Sequence, residues 1–218
     1  MPRHGGDHAA MKAGGLVMAG GEARRMGGVD KPLLPLDALN CIERVIATLR
    51  RDCTRLAISA NGDAARYARW NLPVLADRVA GAGPLAGVLR GLEWAHDAGL
   101  DVLVTVPGDT PFIPADLVPR LLPAPSFATS LGQRHSLVAA WPVACRDMLA
   151  AQLADITPEN RRSATRVRTL ADRLDARPVA FAPLAGGVDP FFNINTPDDH
   201  QAACQHAARM DQAGPVTP

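Results

Sequence analysis

The chain has 218 residues, enough for one large domain whose buried core needs no disulfide or structural metal. Its formal net charge of +1 provides no field that would attract nucleic acid or an acidic membrane surface. No apolar run approaches the ~20 residues of a membrane helix. The four cysteines show no C-x-x-C pair, so we expect reduced thiols. These features predict a soluble, cytoplasmic protein that binds neither nucleic acid nor membrane.

The two ends of the chain differ in composition from its middle. Residues 1–14 lack the apolar segment of a secretory signal, and we expect them to form a flexible leader. Residues 211–218 are polar and rich in small side chains, which predicts a flexible tail. Residues 15–210 contain no linker and no internal repeat, so they are predicted to form a single domain.

Short apolar runs alternate with helical patterns along this domain. The predicted strands are Leu16–Ala19, Leu56–Ser59, Pro73–Ala76, Asp101–Val106, Phe127–Ser130, Ser136–Trp141 and Val179–Phe181. Four helices are predicted. One follows a capping box of Asn40 and Glu43, and one runs from Pro84 to about Ala98. A third follows Asp116, and a fourth begins at Asp198. Strands that alternate with helices indicate an α/β fold with a mostly parallel central sheet flanked by helices. In such sheets ligands bind beyond the C-terminal ends of the strands.

A glycine-rich segment, Ala19–Lys31, directly follows the first predicted strand. Its glycines allow close approach of the backbone to an anion, and Arg25 and Lys31 are suited to phosphate. The segment is neither a Walker A loop nor G-x-G-x-x-G, so its composition is equally typical of a surface loop. Lysine usage favours a role for Lys31, because the only other lysine is Lys12 in the leader, while 21 basic positions are arginine.

An aspartate, Asp109, follows the most apolar predicted strand within Val106–Phe112. A carboxylate at the end of a central strand is a common Mg²⁺ ligand, since Mg²⁺ takes one or two carboxylates together with water and substrate phosphates. A turn aspartate in a connection rich in proline and glycine is the alternative.

Three further segments carry polar groups next to predicted strand or helix ends. Asp77 precedes Gly83–Gly87, whose glycines would let a ligand approach a helix N-terminus, although a tight turn has the same composition. Asn61 follows a strand and could read a base edge or form an ordinary Asn-Gly turn. Asn193 and Asn195 alternate along an extended segment, which predicts that both project to the same side.

In combination these segments resemble the molybdenum cofactor guanylyltransferase family, also called molybdopterin-guanine dinucleotide synthases. The motifs that carry the resemblance occur in the family's order and span roughly residues 15 to 205: Ala19-Gly20-Gly21, Arg25-Met26-Gly27-Gly28, Asp30-Lys31, Leu33-Leu34, Gly83-Pro84-Leu85-Ala86-Gly87, Pro107-Gly108-Asp109-Thr110-Pro111-Phe112 and Asn193-Ile194-Asn195-Thr196-Pro197. The resemblance implies a Rossmann-like nucleotidyltransferase fold of the GT-A type.

The resemblance also implies a reaction and a set of site residues. GMP would pass from GTP to the phosphate of molybdopterin-bound molybdenum cofactor, with release of pyrophosphate. Arg25, Lys31 and Asp109 would be catalytic, and Asp109 would hold Mg²⁺. The pterin would lie beside Asn193 and Asn195. The residues implied to contact GTP are Met18, Ala19, Gly20, Gly21, Lys31, Asn61, Asp77 and Asp109.

Other functions remain open on the sequence. Within the same class the alternatives are a cytidylyltransferase for the same pterin and a sugar-phosphate nucleotidyltransferase. Thr110–Phe112 and the two asparagines favour the guanylyl interpretation over both. An alternative from a different class is a non-catalytic nucleotide-binding adaptor for cofactor delivery. The joint presence of Lys31 and Asp109 disfavours this alternative. The guanylyl interpretation leaves room for transient contact with cofactor-delivery proteins or apo-molybdoenzymes.

Overall fold

The computed structural model of the protein describes residues 11–20, 30–79 and 81–212. Their strands are β1 (Ala13–Met18), β2 (Pro35–Leu36), β3 (Leu39–Asn40), β4 (Arg55–Ser59), β5 (Val74–Leu75), β6 (Val102–Pro107), β7 (Ser126–Ser130), β8 (Gln133–Pro142) and β9 (Arg177–Ala180). Their α-helices are α1 (Cys41–Leu49), α2 (Pro84–Asp97), α3 (Leu117–Leu121), α4 (Arg146–Ala154), α5 (Arg161–Ala164), α6 (Val167–Arg173) and α7 (Pro197–Gln212). Two 3₁₀ helices, Lys31–Leu33 and Ala64–Trp70, matter for the site described below.

A seven-stranded sheet in the order β5-β4-β1-β6-β8-β7-β9 forms the centre of the molecule. Its first four strands are parallel, β8 runs antiparallel between β6 and β7, and β9 is parallel to β7. The short β2 and β3 pair separately as a hairpin. The sheet is therefore mostly parallel and flanked by helices, which confirms the predicted fold class.

The register of the parallel strands brings their C-terminal ends to one edge of the sheet. Met18 at the end of β1 pairs with Ser59 at the end of β4 and with Pro107 at the end of β6. Ser59 in turn pairs with Leu75 at the end of β5. The segments that leave these four strands therefore begin side by side.

Both faces of the sheet are covered by apolar side chains. Val17 and Val104 point into one core, which α1 helps to cover, while Leu16 and Leu103 point into the other, which contains residues of α2 and α4. All six residues of β6 are buried, as the uninterrupted apolar run predicts for a central strand.

The predicted helix boundaries agree closely with the structure at two helices. The Asn40 backbone amide donates to Glu43 Oε2 over 2.7 Å, so the predicted capping box opens α1. Helix α2 begins at Pro84, and Gly99 lies two residues beyond its end with φ of +66°, the left-handed conformation that ends many helices.

Secondary structure extends a short way into both end segments of the sequence. Strand β1 begins at Ala13, inside the segment assigned to the leader, and α7 continues to Gln212, inside the segment assigned to the tail. Gly14 weakened the strand signal, yet a Cβ atom added there would lie 2.6 Å from Leu100 Cδ1, so the strand needs a small residue where it passes under a side chain. Residues 1–10 and 213–218 lie outside the described residues.

Helices α4 to α6 were not predicted. Helix α4 buries only Leu149 and Leu153, and the four residues of α5 bury no side chain, so neither shows a clear apolar stripe. In the described residues no helix is long and apolar enough to cross a membrane. All four cysteines are unpaired, as expected.

The indole of Trp141 makes a buried polar contact between β8 and β6 that provides a test of the core. Trp141 Nε1 donates to Thr105 Oγ1 over 2.9 Å, and Thr105 Oγ1 donates to the Leu137 carbonyl over 2.8 Å. Trp141 and Thr105 are both fully buried. No water can replace either partner without rearrangement of the core.

We predict that Thr105→Val lowers the free energy of unfolding by about 1–3 kcal/mol, because the nearly isosteric side chain leaves the Trp141 N–H without an acceptor. Denaturant titration followed by tryptophan fluorescence measures the change. Thr105→Ser keeps the hydroxyl and is the matched control, expected to lose less. Equal losses in the two variants would show that the methyl group, rather than the hydrogen bonds, stabilises this part of the core.

Candidate functional site

Polar residues converge where β1, β4, β5 and β6 end. Ala19 and Gly20 follow β1, and the Ala19 amide donates to the Ser59 carbonyl over 2.8 Å. The Gly108 amide, after β6, donates to the Met18 carbonyl over 2.9 Å. These bonds extend the parallel pairing past the strand ends, so the connecting loops remain adjacent at the edge where ligands bind in α/β sheets.

Asn61 and Asp77 form a reciprocal pair at this edge. Asn61 Nδ2 donates to Asp77 Oδ2 over 2.8 Å, and the Asp77 backbone amide donates to Asn61 Oδ1 over 2.9 Å. A Cβ atom added at Gly20 would lie 3.8 Å from Asn61 Nδ2, which places the beginning of the glycine-rich segment beside the pair. The structure thus brings together three of the residues implied to contact the nucleotide.

Helix α2 begins beside these residues because two glycines permit it. Gly83 has φ of +57°, a conformation that side chains rarely adopt. A Cβ atom added at Gly87 would lie 2.5 Å from Ser59 Oγ and 2.7 Å from Met18 Cε, so only glycine lets the helix approach the strand ends this closely. The N-terminus of this 14-residue helix favours an anion in its vicinity.

Lys31 contacts the segment that contains the two asparagines. Its Nζ donates to Asn195 Oδ1 over 2.8 Å. The next residue, Pro32, packs against the backbone after β6, since a Cβ atom added at Gly108 would lie 3.1 Å from Pro32 Cβ. A lysine implied to bind nucleotide phosphate is therefore in direct contact with an asparagine implied to lie on the pterin side.

Asp109 sits in a half-buried position at the end of β6. Burial raises the pKa of its carboxyl. The charge of Lys31 and a hydrogen bond from the Asp109 backbone N–H oppose this effect, because both lower the pKa. The Ile194 amide donates to the Asp109 carbonyl over 3.1 Å, so the backbone around Asp109 is fixed to the asparagine segment. Because burial outweighs the effect of Lys31 on the pKa, a second cation beside this half-buried carboxylate would stabilise its charged form.

The Asp109 carboxylate is suited to Mg²⁺ as one ligand among several. Among the described residues no group of three or more His, Cys, Asp or Glu side chains could hold a metal ion. Mg²⁺ does not require such a cage, because it retains water and takes one or two carboxylates together with substrate phosphates. Asp109 therefore fits a magnesium site that substrate phosphates complete.

The segment with the two asparagines is fixed at three points. Thr110, which is fully buried, donates its hydroxyl to Asn193 Oδ1 over 2.7 Å. Ile194 is buried between the two exposed asparagines, as the alternation predicts. Asp199 accepts hydrogen bonds from the backbone amides of Asn195 and Thr196, each over 2.9 Å, at the start of α7.

His135 on β8 supports the same segment from another side. Its Nε2 lies 3.1 Å from Asp189 Oδ2, and its ring centroid is 4.9 Å from that of Phe191. Burial lowers the pKa of His135, which the charge of Asp189 opposes. His135 therefore packs against the residues that lead to Asn193.

Two of the implied site residues, Gly21 and Arg25, lie outside the described residues. Their roles remain predictions. The remaining implied residues are described, and all of them lie in the strand-end loops or in segments that contact these loops: Met18, Ala19, Gly20, Lys31, Asn61, Asp77, Asp109, Asn193 and Asn195.

Comparisons with known proteins agree with this geometry. The family model described as a MobA-like NTP transferase domain matches residues 15–176. A molybdenum cofactor guanylyltransferase of Mesorhizobium japonicum is 47% identical over 209 residues, which cover 91% of this chain and 96% of the relative. The chain belongs to the molybdenum cofactor guanylyltransferase family. The relative of the same name from Acidiphilium cryptum is also 47% identical, over 86% of this chain and 92% of its own length.

Solved structures of the family and of other nucleotidyltransferases share the fold. Molybdopterin-guanine dinucleotide biosynthesis protein A from Archaeoglobus fulgidus superposes with a TM-score of 0.64 at 19% identity, covering 90% of this chain and all of that one. CMP:2-keto-3-deoxy-manno-octonic acid synthetase in complex with CTP gives 0.62 at 18% identity, covering 93% and 99% of the two chains. At these identities the likeness establishes the fold alone.

We predict that Asp109→Asn raises the free energy of unfolding of the ligand-free protein near neutral pH. A carboxyl whose pKa is raised by folding stabilises the fold fully below its unfolded pKa of about 3.9, and this contribution is lost as pH rises through the folded pKa. Once the pH exceeds the folded pKa, the wild type carries a half-buried charge that the neutral amide removes.

Denaturant unfolding of both proteins between pH 3 and pH 8 measures this effect. The advantage of Asp109→Asn should grow as pH rises and vanish in acid. Asp52→Asn, which changes an exposed carboxyl, is the matched control and should show no such trend. A variant that is less stable than the wild type at neutral pH would mean that the Asp109 charge stabilises the fold through Lys31 by more than its burial costs.

Proposed function

We propose that this protein transfers GMP from GTP to the phosphate of molybdopterin-bound molybdenum cofactor and releases pyrophosphate. The observation that carries the proposal is the direct contact between Lys31, on the nucleotide side, and Asn195, on the side assigned to the acceptor. A transferase must bring its two substrates together, and this contact lies beside Asp109 at the C-terminal edge of the sheet. The relatives that bear the name molybdenum cofactor guanylyltransferase supply the identity of the two substrates.

The proposed chemistry is a single in-line displacement. A phosphate oxygen of the acceptor attacks the α-phosphorus of GTP, a new P–O bond forms, and the bond from the α-phosphorus to the bridging oxygen breaks as pyrophosphate leaves. This route requires no covalent intermediate with the protein. Positioning and electrostatic stabilisation then supply the rate acceleration.

The nucleotide side provides a cation, a helix N-terminus and a polar pair. The Lys31 ammonium has three donors, of which Asn195 takes one among the described residues, and the ammonium can donate to phosphate oxygens as well. The N-terminus of α2 adds a favourable potential for the triphosphate. Asn61 and Asp77 hold each other's orientation and present fixed donor and acceptor atoms to the nucleoside. We assign Gly21 and Arg25 to the nucleotide side as well, because they match the family motif.

Mg²⁺ completes the proposed nucleotide site. When bound, the ion supplies positive charge to the phosphate oxygens. Asp109 would hold it, because this carboxylate is half-buried at the strand end and Lys31 is the one counter-charge among the described residues that lowers its pKa. Charge repulsion supports this assignment. An ionised aspartate beside a triphosphate would repel the triphosphate unless both groups are ligands of one cation.

The acceptor side presents amide groups in fixed orientations. Thr110 donates to Asn193 Oδ1, which leaves the Asn193 amide N–H groups to donate to a phosphate or pterin oxygen. Asn195 uses its oxygen for Lys31. We place the reaction in the cytoplasm, in line with four unpaired cysteines, and leave cofactor-delivery proteins and apo-molybdoenzymes as transient partners.

We predict that turnover with GTP exceeds turnover with CTP by at least about tenfold, or ~1.4 kcal/mol. Guanine and cytosine present different donors and acceptors, and a buried edge left without partners is costly. Pyrophosphate release is measured with each nucleotide, with and without the molybdopterin acceptor. Equal or better turnover with CTP would contradict the guanylyl assignment, and nucleotide binding without acceptor-dependent turnover would identify a non-catalytic adaptor.

We predict that Asp109→Asn lowers Mg²⁺-dependent turnover by about 10²–10³-fold, because the amide loses the charge that holds the metal. Pyrophosphate release across a Mg²⁺ titration measures the loss. Asp116→Asn, the same change at an exposed position seven residues further along, is the matched control. If Asp109 is only a turn residue, asparagine serves equally well and the wild-type and Asp109→Asn titrations superimpose.

A further inference from the structure

The carboxylate of Asp30, which immediately precedes Lys31, is occupied by two donors. Arg66 NH1 lies 2.7 Å from Asp30 Oδ2, and the Tyr67 hydroxyl donates to the same oxygen over 3.0 Å. The Asp30 side chain is 18% exposed, whereas that of Arg66 is 39% exposed, so the pair is shielded from water on the Asp30 side. The Leu33 amide donates to the Asp30 carbonyl over 2.9 Å, so Asp30 also begins the 3₁₀ turn that contains Lys31.

Arg66 extends this anchor to the nucleotide side of the site. Its NH2 donates to the Asn61 carbonyl over 3.0 Å, and its Nε donates to the Asp63 carbonyl over 3.1 Å. One guanidinium group therefore ties the loop after β4 to the residue before Lys31. The planar fork of arginine suits this role, because it donates in several fixed directions at once.

Tyr67 fixes the same carboxylate to the core. The residue is fully buried and belongs to the apolar cluster that also contains Val17, Ile58 and Val106. Burial, followed by the charge of Asp30, raises the pKa of Tyr67, so its hydroxyl remains a neutral donor. Asp30 is thus held by a side chain that cannot move without disturbing the core.

Arg66 also neutralises a carboxylate that adjoins Lys31 in the chain. An ionised Asp30 without Arg66 would be an anion next to the Lys31 ammonium in sequence, and it would compete with phosphate oxygens for that cation. With Arg66 in place the charge of Asp30 is neutralised from the other side. Lys31 is then left for Asn195, for Asp109 and for a ligand.

We propose that Arg66 and Tyr67 are positioning residues that act through Asp30 to hold Lys31 at the nucleotide phosphates. This inference rests on the proposed function, because it assumes that Lys31 contributes to GMP transfer. Neither residue belongs to the motifs that carried the family resemblance, and neither needs to contact a substrate. Asp30 is a link between them and Lys31 rather than a ligand of the metal.

The test is a double-mutant cycle between Arg66 and Lys31. Pyrophosphate release with GTP and the molybdopterin acceptor is measured for wild type, Arg66→Ala, Lys31→Ala and the double variant. Arg66→Ala should lower kcat by about 10–10²-fold while the KM for GTP changes little, since a displaced Lys31 fails mainly on the leaving pyrophosphate. In the Lys31→Ala background the same substitution should cause no further loss.

Arg69→Ala is the matched control. Arg69 belongs to the same 3₁₀ helix, but its side chain is 64% exposed, pairs with Glu43 and lies over the ring of Trp70. This variant should keep the wild-type kcat. Tyr67→Phe retains the buried ring, and we expect it to lose activity in the same Lys31-dependent way but less than Arg66→Ala. Thermal melts confirm that each variant is folded at the assay temperature.

The possible outcomes separate the inference from the function. Additive losses, or an Arg66→Ala variant that matches Arg69→Ala, would overturn the inference while the function stands. A shift in the Mg²⁺ half-saturation with Asp30→Asn but not with Arg66→Ala would also overturn it, because Asp30 would then be a metal ligand. A wild type that releases no pyrophosphate would overturn the proposed function and the inference with it. A fully active Lys31→Ala would overturn the inference alone, because GMP transfer would then proceed without Lys31.

Discussion

The common level at which β4, β1 and β6 end is the constraint on which the site depends. Met18, Ser59 and Pro107 lie in register, so the loops that follow them begin at the same level on three adjacent strands. Burial on both faces fixes this register, because a slip by one residue would turn every side chain to the opposite face. In β1, Leu16 and Val17 point into different cores, and neither core tolerates the exchange. The packing of the sheet therefore sets the geometry of the loops.

The opposed charges of Lys31 and Asp109 give the site its electrostatic character. Asp109 is held where burial works against its ionisation, and Lys31 offsets part of that cost. A site arranged in this way is less stable than a neutral one of the same shape, and the surrounding core makes up the difference. The proposed function gives Asp109 a cation and Lys31 an anion as a further partner, which suits the charges of these two side chains.

Long-range contacts join parts of the site that are far apart in the chain. Lys31 and Asn195 are separated by 164 positions, and Thr110 and Asn193 by 83. Helix α7 fixes the asparagine segment through Asp199, while the loop after β6 meets it through the Ile194 amide. These contacts join the sides that we propose for the nucleotide and the acceptor, as a direct transfer between two bound substrates requires.

The sequence by itself determined the features that depend on neighbouring residues. The apolar run around Val104, the capping box of Asn40 and Glu43, and Pro84 at a helix start predicted their elements, because local spacing specifies a central strand or a helix boundary. The ordered motifs likewise predicted the family and the identity of the residues that meet at the site. The residues at strand ends could be expected to converge once a parallel sheet was assumed.

Tertiary structure alone decided the contacts between distant residues and the elements that gain stability only from packing. No periodicity pointed to the Arg66 and Tyr67 contacts with Asp30, or to the bond between Thr110 and Asn193, because hydrogen bonds across long separations leave no local pattern. Strand β1 extends back to Ala13 since β4 and β6 pair with it on both sides, which overrides the weak strand preference of Gly14. Local sequence specifies elements, whereas burial and pairing decide how far they extend and which side chains they bring together.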